Sequence, residues 1–404
     1  MRRYYLFYVR ETLPMSGAYL VQMVHLANAA ANLGYRAVLV YPRPTRRFWR
    51  WVAGFHPQAA AADLRAYYQL QADLQTAELA VPRGGDRLPG LLGKLTNRST
   101  VVCKYHLPLH LRQQTGLVHS RDWNFVKAAI QQGIPAIYER DHCETKRYEP
   151  EIVESPLLHA TVTVATPVRD NLIANGMPPD KIRQFHNGFN RGFYERHPDQ
   201  AQEWRDRLLS PGQSLVVYAG ALEPFKGIDI ILDIAPQFPD VQFALAGGPS
   251  PQIAHYEAEL KTRHLTNVSL LGYLSHDRLA PLLQAADILV YPHHTGNAAN
   301  FTSPMKLFDY IAAGRNIIST TIPPLREFQT SPLITAWAEP DNPQDFALQL
   351  RKTLTTQPAW TPQGLYPWNA VQSYSWEARI EKTLHGLDPH ILHGLRRPSS
   401  LTCG

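Results

Sequence analysis

Residues 4–41 read YYLFYVRETLPMSGAYLVQMVHLANAAANLGYRAVLVY and contain a strand, a turn, a helix and a second strand. Residues 4–9 are rich in aromatic and apolar side chains, which is typical of a buried strand. A turn over 13–17 leads into an apolar helix over 18–30, and Gly34 marks its end before a strand at 37–41. Since a helix that joins two strands in this way forms a βαβ unit, the sequence predicts a parallel sheet.

The same alternation continues along the chain. In the first half it predicts strands at residues 99–103, 116–120, 136–139 and 160–165 and a helix at 122–132, while residues 52–100 suggest an alanine-rich helix and then a turn. In the second half it predicts strands at 214–218, 241–246, 268–271, 288–291 and 316–319, and helices at 229–235, 279–285 and 304–313. The sequence therefore predicts two α/β domains in tandem.

The chain length of 404 residues fits two domains. A polar stretch that is punctuated by Gly and Pro separates the two halves. We expect a first domain over residues 1–195, a linker over 196–212 and a second domain over 213–372. A helix over 373–390 and a tail over 391–404 follow.

The composition argues against several classes of protein. Charged residues make up 18% and hydrophobic residues 44% of the chain, so disorder is not expected. The sequence has no apolar run long enough to span a bilayer and no signal-peptide pattern, which predicts a cytoplasmic protein. Cys103, Cys143 and Cys403 are too widely spaced for a disulfide framework or a zinc site. A net charge of +6 is too small to indicate nucleic-acid binding.

Part of the positive charge is concentrated between Arg43 and Trp51, where arginines are mixed with aromatic residues. This mixture is typical of contact with an anionic membrane surface, here the inner face of the membrane. A solvated loop with two half-buried tryptophans explains the stretch equally well. Peripheral membrane contact and an ordinary loop both stay open.

Several familiar motifs are absent: the P-loop, a GxGxxG after a strand, HExxH and GxSxG. The candidate ligand loops are therefore other loops at the carboxyl ends of strands. In residues 218–227, YAGALEPFKG, Gly220 would let the backbone approach a ligand and Lys226 would attract a diphosphate. Further along, Gly247, Gly248 and the pair Gly272 and Tyr273 could hold a flat nucleobase against the backbone. A surface lysine and ordinary turns are the alternatives.

Residues 301–318, FTSPMKLFDYIAAGRNII, form the most specific of these motifs. Ser303 would cap a helix with Pro304 at its first position. The free N–H groups of such a helix favour a phosphate or a sugar hydroxyl. Asp309 follows about one and a half turns later, where its carboxylate could accept both hydroxyl groups of a ribose.

These motifs, in this order, resemble those of retaining glycosyltransferases of family 4. The family pattern has Gly-x-Leu-x-Pro-x-Lys-Gly, Gly-Gly-Pro, Leu-Gly-Tyr and Ser-Pro-x-Lys-x-Phe-Glu-Tyr-x-Ala-Ala-Gly, matched here at residues 220–227, 247–249, 271–273 and 303–314. Residues 138–142 and 186–190 resemble motifs of the family's first domain. The resemblance implies the GT-B fold, an α/β fold with two Rossmann-like parallel-sheet domains facing across a cleft. In this fold a C-terminal helix crosses back to the first domain.

The resemblance also implies a function: a retaining hexosyltransferase that moves a sugar from a nucleotide diphosphate sugar to an acceptor hydroxyl. It implies no cofactor and no metal. Of the implied catalytic residues, Lys226 would neutralise the donor diphosphate, Asp309 would hold the ribose, and His142 would hydrogen-bond the donor sugar near its anomeric carbon. The other implied donor-binding positions are Gly17, Gly220, Gly247, Gly248, Gly272, Tyr273, Thr302, Ser303, Pro304 and Met305.

The resemblance leaves three classes of acceptor open: a sugar, a lipid or a small molecule. Arg121 at a strand end could contact the acceptor or form a salt bridge, and His294 and Asn297 are further candidates. His293 and His294 resemble a metal pair but lack a third ligand, so they are interpreted as lining the cleft.

Two departures from the family pattern keep other functions open. The family often has two glutamates separated by seven residues, and Phe301 and Asp309 stand in their places. A catalytically weakened GT-B protein that acts as a binding or scaffold subunit would explain both changes. A GT-B enzyme that is not a transferase, such as a sugar-nucleotide epimerase, is disfavoured by the Ser-Pro-x-Lys motif.

Overall fold

The structure is a computed structural model that describes residues 3–15, 17–47, 54–71, 73–296, 304–358 and 360–397. It consists of two compact units. The first contains Met1–His186 and Trp376–Gly404, and the second contains Asn187–Ser375.

The first unit is built on strands β1 (Tyr4–Tyr8), β2 (Ala37–Thr45), β3 (Gln58–Ala59), β4 (Gln75–Pro82), β5 (Thr115–Ser120), β6 (Ala136–Glu139), β7 (Leu158–Thr163) and β8 (Ile182–Gln184). In the described residues these strands form one sheet in the order β3-β4-β2-β1-β5-β6-β7-β8. Neighbouring strands are parallel, except that β3 runs antiparallel to β4. Its helices are Ala18–Asn32, Ala62–Tyr68, Gly90–Thr96, Arg98–Val101, Trp123–Gln131, Pro150–Val153, Thr166–Ala174, Trp376–Leu384 and Pro389–Leu395, with a π-helix at Val102–Leu111 and 3-10 turns at Gly85–Arg87 and Pro179–Lys181.

The centre of this sheet is covered on both faces. In β1 every residue from Tyr5 to Tyr8 is buried, and side chains that follow one another in a strand point to opposite faces. The helix Trp123–Gln131 covers one face with Phe125 and Val126. The parallel sheet that the βαβ pattern predicted is confirmed, apart from the antiparallel strand β3.

The second unit is built on strands β9 (Ser214–Ala219), β10 (Val241–Ala246), β11 (Val268–Gly272), β12 (Ile288–Tyr291), β13 (Asn316–Thr320) and β14 (Ala336–Ala338). Among the described residues they form a parallel sheet in the order β11-β10-β9-β12-β13-β14. The helices are Arg191–Tyr194, Pro198–Leu208, Ile228–Ile234, Ser250–Thr262, His276–Ala285, Met305–Ala313, Pro343–Thr356 and Trp368–Val371, with 3-10 turns at Pro224–Lys226, Ala235–Gln237, Pro323–Phe328 and Gln372–Tyr374. Because β9 lies inside the sheet, the loop that follows it has a neighbouring loop on each side.

The predicted strand at residues 99–103 is wrong, because these residues lie in the helix Arg98–Val101 and the π-helix that follows it. The Asn97 side chain accepts a hydrogen bond from the Thr100 N–H (2.8 Å) and so starts the helix. The strand β4 was not predicted, and its eight residues pair with β2 along their whole length. Residues 196–212, predicted as a linker, contain the helix Pro198–Leu208, which buries Ala201 and Trp204.

The helix Trp376–Leu384 belongs to the first unit and packs against the helix Ala18–Asn32. Asn32 Nδ2 donates to Glu377 Oε1 (2.6 Å). The buried Arg379 guanidinium donates to Glu139 Oε2 (2.8 Å) at the end of β6. The helix Trp376–Leu384 therefore helps to complete the core that residues 1–186 begin.

Candidate functional site

Three glycine-containing loops meet at the carboxyl edge of the second sheet. Gly247, after β10, donates its N–H to Gly272 O (2.7 Å) at the end of β11. Gly220, after β9, donates to Ala246 O (2.9 Å). A Cβ atom on Gly247 would lie 1.9 Å from Gly220 O, and one on Gly248 would lie 2.8 Å from Leu222 Cγ. The close packing at this edge therefore favours glycine at positions 247 and 248 by itself, whether or not a ligand also approaches the backbone there.

We expect Gly247→Ala to lower the free energy of unfolding of the second unit by about 2–4 kcal/mol, because its Cβ would overlap a backbone oxygen. Gly212→Ala is the matched control, since Gly212 also has a positive φ, of 86°, but its Cβ would meet no atom within 4 Å. The control should lose about 1 kcal/mol. Chemical denaturation measures both, and equal losses would contradict the packing argument.

Lys226 lies in a loop that two contacts hold in place. A Cβ atom on Gly227, whose φ is 72°, would lie 1.8 Å from Pro292 O. His294 N–H donates to Phe225 O (3.0 Å). These contacts join the loop after β9 to the segment after β12.

The half-buried Lys226 ammonium is available for an anionic ligand. Burial lowers its pKa to about 8, and the nearby Glu223 carboxylate only partly offsets this effect. Among the described side chains no carboxylate forms an ion pair with it. A partly desolvated cation without a carboxylate partner favours an anion that displaces the remaining water.

The pKa values of the two histidines after β12 are shifted in opposite directions. His293 is buried and stacks on Tyr291 with ring centroids 3.9 Å apart. Burial and the neighbouring Lys226 lower the pKa of His293 to about 2, so it is neutral. Both ring nitrogens of His294 face carboxylates: Nε2 lies 2.8 Å from Asp229 Oδ1, and Nδ1 contacts Asp341. Burial opposes the charged form, but these carboxylates outweigh it and raise the pKa of His294.

His294 was a candidate for acceptor binding. In the structure its side chain instead joins the segment after β12 to Asp229 and Asp341, which belong to two other elements. Asp229 lies in the first turn of the helix Ile228–Ile234, and Asp341 precedes the helix Pro343–Thr356. Within the part of the chain that the structure describes, no group of three or more His, Cys, Asp or Glu side chains could hold a metal ion.

Asp309 is buried on the helix Met305–Ala313, which begins one residue later than predicted, with Pro304 as its N-cap. Burial raises the pKa of Asp309 to about 6, and Lys306 Nζ, 3.3 Å from Oδ2, partly offsets the shift. The next residue, Tyr310, fixes the helix to the sheet, since its hydroxyl accepts from Ala219 N–H (2.7 Å). Asp309 is thus anchored to the strand that leads to Lys226. Four other predicted positions, Asn297, Phe301, Thr302 and Ser303, lie outside the described residues.

The remaining donor-side candidates of the second unit lie on the same elements. Tyr273 follows β11 and is 58% exposed, and the half-buried Met305 starts the helix that carries Asp309. The glycines, Lys226, Met305 and Asp309 of the prediction therefore share the carboxyl edge of one sheet.

The first unit carries the other candidates. Gly17 precedes the helix Ala18–Asn32, and its carbonyl accepts from the N–H groups of Leu20 and Val21 (both 3.0 Å). The Arg121 guanidinium donates to Asp141 Oδ2 (2.7 Å). Although burial raises the pKa of Asp141, Arg121 outweighs this and keeps it low. His142 is exposed, with Nδ1 2.8 Å from Asp141 O.

Arg121 lines a cavity of about 370 Å³ at the carboxyl ends of β1, β5 and β6. The wall combines aromatic rings with charges of both signs. It includes Arg10, Glu11, Tyr19, Arg121, Trp123 and Glu144. The sequence prediction contained Arg121 but missed Tyr19 and Trp123, because each lies in the first turn of a helix and nothing in the local sequence distinguishes it from a core aromatic.

A buried polar network under this cavity was also missed. Glu139, at the end of β6, accepts from Arg379 Nη2 (2.8 Å) and Gln22 Nε2 (3.2 Å). His119 Nε2 lies 3.0 Å from Glu139 Oε1, and His119 Nδ1 lies 2.8 Å from Tyr5 OH. Burial opposes ionisation of Glu139, but Arg379 and His119 outweigh it and lower its pKa. The network fixes the strand end from which Asp141 and His142 follow.

Residues 213–356 match the family model described as Glycosyl transferases group 1. The chain is 24% identical over 178 residues to the putative teichuronic acid biosynthesis glycosyltransferase TuaH of Bacillus subtilis, covering 43% of this chain and 43% of that protein. It is 24% identical over 185 residues to a D-inositol 3-phosphate glycosyltransferase of Mycolicibacterium gilvum, covering 44% of this chain and 40% of that protein. The match thus spans less than half the length of these relatives.

Solved structures resemble nearly the whole chain. Anabaena HepE in complex with UDP and glucose has a TM-score of 0.64 at 16% identity, covering 95% of this chain and 100% of that one. Sucrose-phosphate synthase from Thermosynechococcus elongatus has a TM-score of 0.60 at 17% identity, covering 94% and 97%. Together with the two parallel-sheet units, these likenesses show that the fold is GT-B.

Proposed function

We propose that this protein is a glycosyltransferase that moves a sugar from a nucleotide diphosphate sugar to an acceptor hydroxyl. The observation that carries the proposal is the Lys226 ammonium at the carboxyl end of β9. It is partly desolvated and has no ion-pair partner among the described residues. It lies within the segment that matches the Glycosyl transferases group 1 model.

The donor belongs on the second unit in this proposal. Lys226 binds the diphosphate, the Asp309 carboxylate accepts the ribose hydroxyls, and the three joined glycine loops present backbone groups to the base. HepE, a structural neighbour, was solved with UDP-glucose, which makes UDP-glucose the first donor to test.

The chemistry that we infer is electrostatic. As the glycosyl bond breaks, negative charge develops on the leaving diphosphate, and Lys226 stabilises it in a partly dehydrated setting. Neutral His293 lies beside Lys226 and adds no competing positive charge. We include in the proposal that the anomeric configuration is retained and that no metal ion is needed. Product analysis by NMR tests retention, and an assay with excess EDTA tests the metal.

The acceptor belongs on the first unit. The cavity that Arg121 lines combines the rings of Tyr19 and Trp123 with side chains of both charges, which suits a polyhydroxylated molecule. Since the guanidinium of Arg121 is already held by Asp141, it can present a fixed edge to acceptor hydroxyls. His142, exposed after β6, is the candidate for contact with the transferred sugar.

The test is release of nucleoside diphosphate from a panel of nucleotide sugars, with and without candidate acceptors, together with thermal shifts for each donor. Acceptor-dependent release with one donor is the expected result. A donor that raises the melting temperature without being consumed would favour the binding or scaffold alternative. No release and no thermal shift with any donor would contradict the enzyme proposal.

A further inference from the structure

The strongest feature that the proposed function leaves unexplained is a row of exposed leucines in the first unit. Leu88, Leu91, Leu92 and Leu95 are 47%, 72%, 65% and 45% exposed. They lie immediately before and within the helix Gly90–Thr96. Their spacing, i, i+3, i+4 and i+7, usually marks the side of a helix that faces a core. Here that side faces solvent.

The backbone of this segment packs against itself and holds the leucines outward. A Cβ atom on Gly93 would lie 1.8 Å from Leu88 O, and one on Gly85 would lie 2.1 Å from Thr96 O. Thr96 Oγ1 also donates to Leu92 O (2.6 Å). The 3-10 turn Gly85–Arg87 and the helix therefore form one closely packed unit, whose leucines gain no burial from it.

The charge around these leucines is positive. Residues 83–104 contain five basic side chains and one acidic one, Asp86, which pairs with Arg98 (3.4 Å). Four of these basic residues are exposed: Arg83, Arg87, Lys94 and Lys104. Arg83 N–H also donates to Thr45 O (3.0 Å), which brings the exposed Arg46 and Arg47 to the same end of the sheet.

We propose that the helix Gly90–Thr96 with its exposed leucines, called the leucine helix from here on, docks the first unit on a lipid bilayer that contains anionic lipids. The leucines would enter the interfacial region, and the arginines and lysines would meet the lipid phosphates. Charge complementarity favours an anionic lipid bilayer as the partner. The exposed leucines match the apolar acyl chains, and the positive charge around them matches the negatively charged headgroups above those chains. None of the helices in the described ranges is long and apolar enough to cross a bilayer, so the contact would be peripheral.

Of the stretch between Arg43 and Trp51 that the sequence singled out, this surface includes only Arg46 and Arg47. There, Arg43 forms an ion pair with Glu78, and residues 48–53 lie outside the described part of the chain. The docking proposal stands on the exposed leucines and the basic side chains near them, and it does not rest on the proposed enzymatic function.

The test is sedimentation of the full chain with vesicles of phosphatidylcholine alone and with vesicles that contain about one-third phosphatidylglycerol. We expect binding to the anionic vesicles, weaker binding to the neutral ones, and a loss of about tenfold or more in affinity for the double variant Leu91→Ser, Leu92→Ser. Leu348→Ser is the matched control, since Leu348 is 60% exposed on a helix of the second unit. It should bind like the unchanged protein.

A second variant separates charge from apolar contact. Arg83→Gln with Arg87→Gln should weaken binding to anionic vesicles and leave the weak binding to neutral vesicles unchanged. Both double variants should keep the melting temperature, because the changed side chains are exposed. Equal binding by the leucine variant and the unchanged protein would overturn the proposal. So would light scattering that shows a dimer of the unchanged protein but a monomer of the leucine variant, since the helix would then join two copies.

Discussion

Lys226→Ala is expected to reduce donor turnover about 100- to 1,000-fold while the fold stays intact. In the proposed mechanism, this ammonium is the charge that meets the leaving diphosphate, and removal of one such group typically costs that much in rate. The fold should tolerate the change, because burial already lowers the pKa of Lys226 to about 8 and no carboxylate in the described residues depends on it as an ion-pair partner. Nucleoside diphosphate release and thermal denaturation measure the two effects.

Two further variants sharpen this prediction. Lys352→Ala, which removes an exposed lysine on a helix of the same unit, should leave turnover unchanged. Lys226→Arg keeps the charge and should recover part of the rate. If Lys226→Ala turned over donor as fast as Lys352→Ala does, the assigned role of Lys226 would be wrong.

Asp309→Asn is expected to have two opposite effects, a weaker affinity for UDP-glucose and a more stable fold. An asparagine offers one neutral accepting oxygen where the carboxylate offers two charged ones, so it holds the two ribose hydroxyls less strongly, and we expect about tenfold weaker binding. Stability should rise by about 2–3 kcal/mol at pH 7.5, because an ionised, buried Asp309 is costly. Calorimetry and chemical denaturation measure the two quantities.

The sign follows from the pKa of Asp309, which is raised from its usual value near 4 to about 6. The folded protein therefore binds the proton of the Asp309 carboxyl group more tightly than the unfolded chain does. The stabilisation of the fold by this proton is complete below about pH 4 and is lost as the pH rises through 6. The stability gain of Asp309→Asn should therefore be full above pH 6 and shrink toward pH 4. Asp233→Asn, at an exposed position of the same unit, is the control. A variant that lost stability at pH 7.5 would show that Asp309 is a structural carboxylate.

Local sequence patterns predicted most of the second unit. Its strands alternate apolar runs with glycine turns, and the predicted and observed bounds of β10 and β12 coincide. The first unit was harder. Residues 99–103, Ser-Thr-Val-Val-Cys, favour a strand by composition, but a cap at Asn97 and the contacts of the π-helix decide otherwise.

Long-range pairing explains what the sequence did not reveal about the candidate site. The order of the glycine loops and the position of Asp309 are local features, and the sequence predicted that they would share a sheet edge. The partner of Glu139, in contrast, is Arg379, which is 240 residues away, and His294 meets Asp229 from 65 residues away. Only the fold brings such charges together, so no motif spacing could have indicated them.

The ion pair between Glu139 and Arg379 has a consequence for how the chain is made. The second unit is inserted within the first, so Asn187–Ser375 is synthesised and can fold while the first unit still lacks the helix Trp376–Leu384. Until that helix emerges from the ribosome, the Glu139 carboxylate has His119 and Gln22 beside it but lacks the Arg379 guanidinium, so its burial is less favourable. Of the two units, the one whose translation starts first is therefore expected to become stable last, which makes its maturation depend on synthesis of the helix Trp376–Leu384.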